Sequence, residues 1–279
     1  MGRAGHRPEL RVERRQTSLT DAENAFNFVY PGGWAASASF DPGGIYWVQQ
    51  GLGLGVTNHR RMAVSNAPNA ELGLLLGDST GNANDFTGTA TYDDDAGKIY
   101  QWADHYLLNV STNPTDPSAP NPNYDGAQPA LMFPWITTQN TIADTLYPTP
   151  QGSMIAASVR EYRLTGNSAY LLEAEAIANT ALSTFNESYY LNQPAALDGI
   201  FFRGLLVLYS ATSDTALQSK IISTIQTFAT DAWTNYRGST GLFRFPGSQG
   251  SGYQLLDQGA MLQIYAMLAW DPSDYANLP

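Results

Sequence analysis

The sequence predicts an all-α protein in which helical hairpins follow one another along the chain. Three observations support this prediction: apolar residues recur every three or four positions, short capping signals separate these segments, and the alternation typical of strands is scarce. The hairpins repeat about every 40–50 residues, which is typical of a solenoid or a closed toroid. Long loops rich in glycine and aromatic residues lie mostly on one side of the pairs, which favours a toroid with a loop-lined cleft.

Five of the predicted helices lie in the C-terminal half of the chain. The helix over residues 168–186 places its apolar side chains on one face. Thr165-Gly166-Asn167 precedes it; Gly166 is typical of a helix C-cap, and Asn167 or Ser168 is typical of an N-cap. The other four helices are predicted at residues 153–164, 196–211, 214–236 and 253–270.

Three further helices are predicted in the N-terminal half, at residues 20–29, 63–76 and 93–109, which brings the total to about eight. A second Thr-Gly-Asn joint, at residues 80–82, follows the middle one of the three. Asp93-Asp94-Asp95 opens the last of them and suits the positive end of its dipole. Residues 111–134 are rich in proline, asparagine and aspartate and are predicted to form a long loop.

Length and composition indicate one domain. The 279 residues are 43% hydrophobic and include no cysteine, so the chain can bury a substantial core but forms no disulfide. Five of the first 15 residues are arginine, and no apolar segment follows them as it would in a secretory signal. We therefore expect a disordered or artefactual basic N-terminus at residues 1–19 and a single domain at residues 20–279.

Charge and motif spacing exclude several classes of partner. The net charge of −11 argues against a nucleic-acid partner. No apolar run approaches the ~20 residues of a membrane helix, so we expect no membrane span. The three histidines, His6, His59 and His105, have no metal-ligand spacing, and we expect neither a metal nor a cofactor.

Five short motifs stand in order between about residues 20 and 271. They are Asp41-Pro42-Gly43-Gly44-Ile45-Tyr46-Trp47, Ser65-Asn66-Ala67, Tyr124-Asp125-Gly126, Gln151-Gly152 and Gly199-Ile200-Phe201-Phe202-Arg203. Together they resemble the motifs of glycoside hydrolase family 76, the endo-α-1,6-mannanases and related fungal cell-wall proteins. The resemblance implies an (α/α)6 toroid, which eight helices would leave incomplete, and retaining hydrolysis or transfer at α-1,6-mannosidic bonds.

The catalytic residues of the family are not identified in this sequence. The resemblance implies two adjacent aspartates upstream of the Gly-Gly-Ile-Trp element, whereas the residues before Gly43 contain no such pair. We therefore expect that the front portion of the domain is missing or replaced. The run Asp93, Asp94 and Asp95 could in principle supply the two carboxyl groups, about 5 Å apart, that a retaining glycosidase needs. Its position after Ser65-Asn66 favours the other interpretation, stabilisation of a helix start.

The resemblance points instead to five substrate-binding candidates. Tyr46 and Trp47 follow two glycines and either stack on sugar rings or are ordinary core aromatics. Asn66 and Gln151 begin helices on the loop side and could bind hydroxyl groups, although capping is an equally good explanation of Asn66. Arg203 lies in an apolar helix and needs a partner, for which an ion pair with another helix is the favoured interpretation.

Two further acidic residues, Asp198 and Asp257, stand out in the sequence. Asp198 stands where the family motif has lysine before Gly-Ile-Phe. Asp257, next to Gln258, lies between apolar residues of the last helix and either lines a cleft or faces solvent.

The favoured function is that of a glycoside hydrolase or transglycosidase acting on α-1,6-mannan of the cell wall. The alternatives are a non-catalytic carbohydrate-binding toroid and a structural scaffold. We expect a polysaccharide partner, a monomer, and an extracellular or cell-wall location, in agreement with the acidity of the chain. Two sequons for N-glycosylation, at Asn109 and Asn186, give the location mild support.

Overall fold

Nine α-helices contain most of the residues that the computed structural model describes, which are 8–38, 42–48, 60–83, 88, 90–108, 131–132, 135–137, 146–248 and 254–278. The helices are α1 (Pro8–Gly33), α2 (Ala63–Thr80), α3 (Tyr92–Leu107), α4 (Pro148–Thr165), α5 (Ser168–Thr184), α6 (Glu187–Leu191), α7 (Ala195–Tyr209), α8 (Thr215–Asn235) and α9 (Leu255–Leu268). A 3₁₀ helix, Pro272–Asn277, follows. Two short strands, β1 (Arg60–Met62) and β2 (Trp135–Thr137), pair antiparallel with Arg61 opposite Ile136.

The helices form an inner and an outer layer, which confirms the predicted all-α hairpin toroid. In the inner layer α2 packs against α4, α4 against α7, and α7 against α9. On the outside, α1 and α3 pack on α2, α5 packs on α4, and α8 packs on α7 and α9. Apart from the short α6, successive helices therefore alternate between the layers, and the core lies between the layers.

The two Thr-Gly-Asn joints are confirmed as helix ends. Gly81 and Gly166 adopt the left-handed conformation, with φ of 68° and 70°, and cap α2 and α4. Asn167 then accepts the backbone N–H of Ala169 at 3.1 Å as the N-cap of α5. This is the chemistry that the sequence indicates, because glycine reaches positive φ without strain and asparagine caps a helix start.

The N-terminal helix differs from its prediction. Residues 8–19, which we expected to be disordered, are helical and continue into the segment predicted at 20–29. Pro8 suits the first helical position, and glutamate, arginine and leucine are good helix formers, so local propensity favours the longer helix. Residues 1–7 lie outside the described residues. The short helix α6, which has five residues, was not predicted.

Two glycines bring α4 and α7 unusually close together. A Cβ at Gly204 would collide with the backbone of Gly152, and a Cβ at Gly152 would collide with that of Phe201. Around this contact, the side chains of Met154, Ile155, Phe201 and Leu205 are completely buried. Among the described residues, no helix is long and apolar enough to cross a membrane.

Candidate functional site

The Gly-Gly loop lies against two tryptophans, Trp34 just after α1 and Trp102 within α3. Gly43 and Gly44 have φ of 108° and 77°, a conformation that favours glycine. A Cβ on Gly44 would come within 2.6 Å of the ring of Trp102, and one on Gly43 within 2.8 Å of Trp34. Both glycines are therefore required for the loop to rest on these rings.

Two residues, Arg61 and Trp34, hold the Gly-Gly loop and the residues that follow it. Arg61 is buried, donates to the carbonyl of Gly43 at 2.9 Å, and lies over the ring of Trp102 at 4.8 Å. Ile45 pairs with Trp34, and Tyr46 pairs with Arg61, in isolated antiparallel bridges. These contacts hold the loop in a fixed position against β1 and the start of α2.

The structure brings together three of the predicted substrate-binding residues, Tyr46, Trp47 and Asn66. Trp47 is 52% exposed, and Tyr46 is half-buried. Asn66 is completely buried; its Oδ1 accepts the N–H of Ile45 at 2.7 Å, and its Nδ2 donates to the carbonyls of Ile45 and Met62. Trp47 can thus meet a ligand, whereas the Asn66 amide is engaged by the backbone beneath it.

Gln151 occupies the same kind of position at the start of α4. It is completely buried, and its amide bonds both the N–H and the carbonyl of Met132, at 2.8 and 3.0 Å. A third bond joins it to the carbonyl of Tyr147. The side chain therefore holds a loop rather than being presented to solvent. The motif Tyr124-Asp125-Gly126, which precedes this loop in the sequence, lies outside the described residues.

Arg203 forms the inter-helix ion pair that the sequence favours. Its Nη1 and Nη2 atoms bind the two carboxylate oxygens of Glu71 at 2.5 and 2.6 Å. Arg160 approaches the same carboxylate, with its Nε 3.6 Å from Oε1. The cluster joins α7, α2 and α4, with Glu71 on α2 only 3% exposed. A bidentate pair of this kind fixes the relative position of the helices that carry it.

The aspartate run lies at the start of α3, an outer helix. Asp94 and Thr91 form a reciprocal capping box, and hydrogen bonds from Thr91 lower the pKa of Asp94. Asp95 is buried and binds Lys98 at 2.8 Å. Burial, together with the charges of Asp94 and Asp78, raises the pKa of Asp93. Capping and pairing therefore account for two of the three carboxylates.

Two buried carboxyl groups, those of Asp198 and Asp257, lie at the starts of the inner helices α7 and α9. Asp257 accepts the backbone N–H of Ala196 at 3.3 Å and the hydroxyl of Ser248. Asp198 is 1% exposed and its Oδ2 has no hydrogen-bond partner. Burial, with the charge of Asp257 added, raises the pKa of Asp198 well above its usual value. Asp198 therefore binds a proton more readily than an exposed aspartate does.

Each of these two aspartates stands out in the sequence, but the sequence does not predict that their charges interact. The signals were an acid in place of the lysine of the motif, at Asp198, and a polar residue within an apolar helix, at Asp257. Because they are 59 positions apart on different helices, only the packing of α7 on α9 brings them together.

An aromatic cleft of about 500 Å³ opens beside the Gly-Gly loop. Trp102 and Tyr106 pack with ring centroids 5.4 Å apart, and His105 meets Tyr106 edge to face at 4.4 Å. Polar groups of Gln101 and Asp104 line the same cleft. The cleft is shallow and open to solvent, and it combines aromatic with polar surface. No group of side chains among the described residues could hold a metal ion.

The two layers of helices, with loops held at the N-terminal ends of the inner layer, define the class of the protein, an α/α toroid. The chain belongs to glycosyl hydrolase family 76, whose family model matches residues 9–271. A comparison with curated proteins found no match.

Solved structures of this family share the fold. A family 76 mannosidase from Bacteroides thetaiotaomicron is 22% identical with a TM-score of 0.67; the match covers 90% of this chain and 64% of that one. The α-1,6-mannanase of Salegentibacter sp. HEL1_6 is 20% identical with a TM-score of 0.66, covering 92% of this chain and 71% of that one. The chain thus spans less than two thirds of the length of the first of these relatives.

One solved structure also holds a ligand. A variant of the Salegentibacter enzyme, inactivated by replacing two adjacent aspartates with asparagine, is in complex with α-1,6-mannotriose. It is 20% identical to this chain with a TM-score of 0.65, and the match covers 93% of this chain and 71% of that one.

Proposed function

We propose that this protein is a glycoside hydrolase or transglycosidase that acts on the α-1,6-mannan of cell-wall polysaccharide. The observation that carries the proposal is the family match over residues 9–271, and the likeness to mannanases of known structure supports it. An exposed tryptophan on a rigidly held loop at the inner-helix ends is a suitable surface for a sugar ring.

The proposed contacts divide into direct and indirect ones. Tyr46 and Trp47 contact the saccharide, because their rings lie at the loop surface. Asn66 and Gln151 act from below by fixing loop backbone, and Arg203 acts by fixing the inner helices. This assignment narrows the set of five candidates to two direct contacts.

The proposed reaction retains the anomeric configuration. One carboxylate attacks the anomeric carbon while a second carboxyl group protonates the departing glycosidic oxygen. Water or a sugar hydroxyl, which gives its proton back to that second group, then displaces the enzyme carboxylate. We propose that Asp93, Asp94 and Asp95 do not supply this pair, since Asp94 is a helix cap and Asp95 is paired with Lys98.

Cleavage of α-1,6-mannan by the purified chain tests the enzymatic proposal. We expect Trp47→Ala to weaken binding of α-1,6-mannotriose by about tenfold through loss of ring contact. Trp270→Ala is a matched control, because Trp270 is similarly exposed, at 43%, but lies beyond α9. Asp94→Asn should leave any cleavage unchanged. Loss of cleavage in that variant would indicate that the aspartate run is catalytic.

The second candidate function is carbohydrate binding without turnover, and the aromatic cleft favours it. Ring faces next to Gln101 and Asp104 can bind a neutral sugar without an acid pair. Calorimetric titration with α-1,6-mannotriose, followed by product analysis, separates the two candidates. Binding without product would establish the second candidate, and absence of both binding and product would reject both.

We also propose that the protein is a monomer with an extracellular or cell-wall location. The exposed sequon residue Asn186 keeps its Oδ1 on the N–H of Tyr189, an arrangement in which its Nδ2 can carry a glycan. Secretion by a eukaryotic host with a glycan at Asn186 would support the location. A dimer in light scattering would contradict the proposed oligomeric state.

A further inference from the structure

Three inner helices begin with the same arrangement of side chain and loop. The fourth residue of α2, α4 and α9 is an amide: Asn66, Gln151 and Gln258. In each case the amide oxygen accepts the N–H of one loop residue, and the amide nitrogen donates to the carbonyl of that same residue. The residues held in this way are Ile45, Met132 and Phe243, at distances of 2.7 to 3.1 Å.

A third hydrogen bond also recurs. Each amide nitrogen donates to the backbone carbonyl four positions before it, just outside the first helical residue. These carbonyls belong to Met62, Tyr147 and Gln254, at 2.8, 3.0 and 3.4 Å. The amide therefore joins the start of its own helix to a distant loop.

The residues held by the amides share a second feature. Each forms an isolated antiparallel bridge with the chain just after an outer helix. The bridges are Trp34 with Ile45 after α1, Leu108 with Met132 after α3, and Arg237 with Phe243 after α8. One unit, made of an outer helix, a bridged loop and an inner helix with its amide, thus occurs three times in the chain.

An amide suits this position because it carries a donor and an acceptor side by side, as the backbone of a neighbouring strand does. A carboxylate can only accept, and an aliphatic side chain can do neither. The fourth residue of α7 provides the contrast: it is Asp198, whose Oδ2 has no hydrogen-bond partner. The two buried amides, Asn66 and Gln151, would leave several backbone groups unpaired if they were replaced.

We propose that Asn66, Gln151 and Gln258 are positioning residues that hold, by one repeated clamp, the loops bordering the proposed saccharide site. This inference rests on the proposed function for its ligand. The clamp that most directly affects binding is that of Asn66, because the residue it holds, Ile45, directly precedes Tyr46 and Trp47. The backbone of Trp47 is also held, because its N–H donates to the carbonyl of Arg60 at 2.8 Å.

The test compares Asn66→Asp with Asn69→Asp in the full chain. Asn69 lies on the same helix and its Nδ2 also donates to the carbonyl four positions earlier, that of Ser65, at 2.7 Å; within the described residues its side chain makes no hydrogen bond to a loop. Both substitutions keep the size of the side chain and remove its donors. Hydrogen exchange of the peptide 42–48 and binding of α-1,6-mannotriose are measured for each variant.

We expect Asn66→Asp to speed exchange of the peptide 42–48 by about tenfold or more and to weaken mannotriose binding by a similar factor. Asn69→Asp should change both by less than about twofold. Unchanged exchange in Asn66→Asp would overturn the clamp. Faster exchange with unchanged affinity would overturn the positioning role.

A pH series gives a readout that general loss of structure would not. The carboxyl group introduced by Asn66→Asp regains one donor when it is protonated, so its exchange defect should shrink as the pH falls. Asn66→Leu should show no such recovery, and equal pH profiles of the two variants would count against the clamp. If the unmodified chain binds no mannotriose, the proposed function fails, while the exchange data still decide the clamp.

Discussion

At the scale of single residues, Glu71 links three helices of the inner layer through its buried carboxylate. Its carboxylate is almost completely buried and accepts hydrogen bonds from Nη1 and Nη2 of Arg203, with Arg160 close by. The sequence predicts that Arg203 needs a partner, because a charged group in an apolar helix is costly when unpaired. It could not identify the partner, since Glu71 lies 132 positions away.

We predict that Glu71→Gln destabilises the protein by about 3–5 kcal/mol, because it removes the buried carboxylate that Arg160 and Arg203 share. Urea unfolding followed by circular dichroism measures this change. Glu23→Gln on α1, a layer further out, serves as control and should shift stability by less than about 0.5 kcal/mol. Similar midpoints for Glu71→Gln and the unmodified chain would show that the pair contributes little.

At the scale of elements, the contact of α4 with α7 depends on backbone rather than on side chains. Gly204 lies against the backbone of Gly152, so the two helices approach more closely than any Cβ would allow. Gly199, five positions earlier on α7, faces Ala260 of α9 with room for a methyl group: a Cβ there would be 3.6 Å from that of Ala260. One helix therefore carries a glycine that is sterically required and one that is not.

We predict opposite effects of alanine at these two glycines. Gly204→Ala should destabilise the protein by at least about 1–3 kcal/mol, because the new methyl group forces α4 and α7 apart. Gly199→Ala should be neutral or stabilising by up to about 1 kcal/mol, since alanine favours the helix. Thermal unfolding of both variants checks the prediction, and a stable Gly204→Ala protein would contradict the close approach.

The elements also show where local sequence is sufficient. The joints at Gly81 and Gly166 were predictable, because capping depends on residues next to one another in the chain. The hydrogen bonds of Asn66 and Gln151 were not, because their loop partners lie 21 and 19 positions earlier. Both residues were noticed as site candidates, but sequence alone could not show that their amides are buried and bonded to backbone.

At the scale of the whole molecule, three buried carboxyl groups give stability a common dependence on pH. Burial, with the charge of Asp93, raises the pKa of Glu161 to about 7. Burial, with the charge of Asp104, raises that of Glu173, and burial near Asp257 raises that of Asp198. The folded protein holds these protons more tightly than the unfolded chain does. Stability is therefore lost as the pH rises from the ordinary carboxyl pKa through the raised values.

We predict that the protein is more stable at pH 5 than at pH 8. Glu161→Gln should remove part of this difference by raising stability at pH 8 by on the order of 1–2 kcal/mol, with little effect near pH 4. Unfolding midpoints across this range measure both effects. A pH profile identical to that of the unmodified chain would exclude Glu161 as a contributor.

The order of the helices along the chain was predictable from apolar spacing, but their neighbours across the fold were not. Periodicity marked eight of the nine helices and their hairpin pattern, because it reports which face of each is buried. The short helix α6 and the helical residues 8–19 were missed, since neither shows a clear apolar face in the sequence. The ion pairs of Glu71 with Arg160 and Arg203 join α2, α4 and α7, and no local pattern connects these three residues.

The buried ion pairs of Glu71 should hold the protein together even when the chain is expressed as two separate fragments. A cut between α3 and α4 would leave Glu71 on one piece and both of its arginines on the other. The phenol of Tyr100 would likewise remain bound to Glu173 across the cut, at 2.5 Å. We therefore predict that the two halves, produced together in one cell, assemble and co-purify, and that Glu71→Gln in the first half separates them; halves that purify apart without the substitution would contradict this.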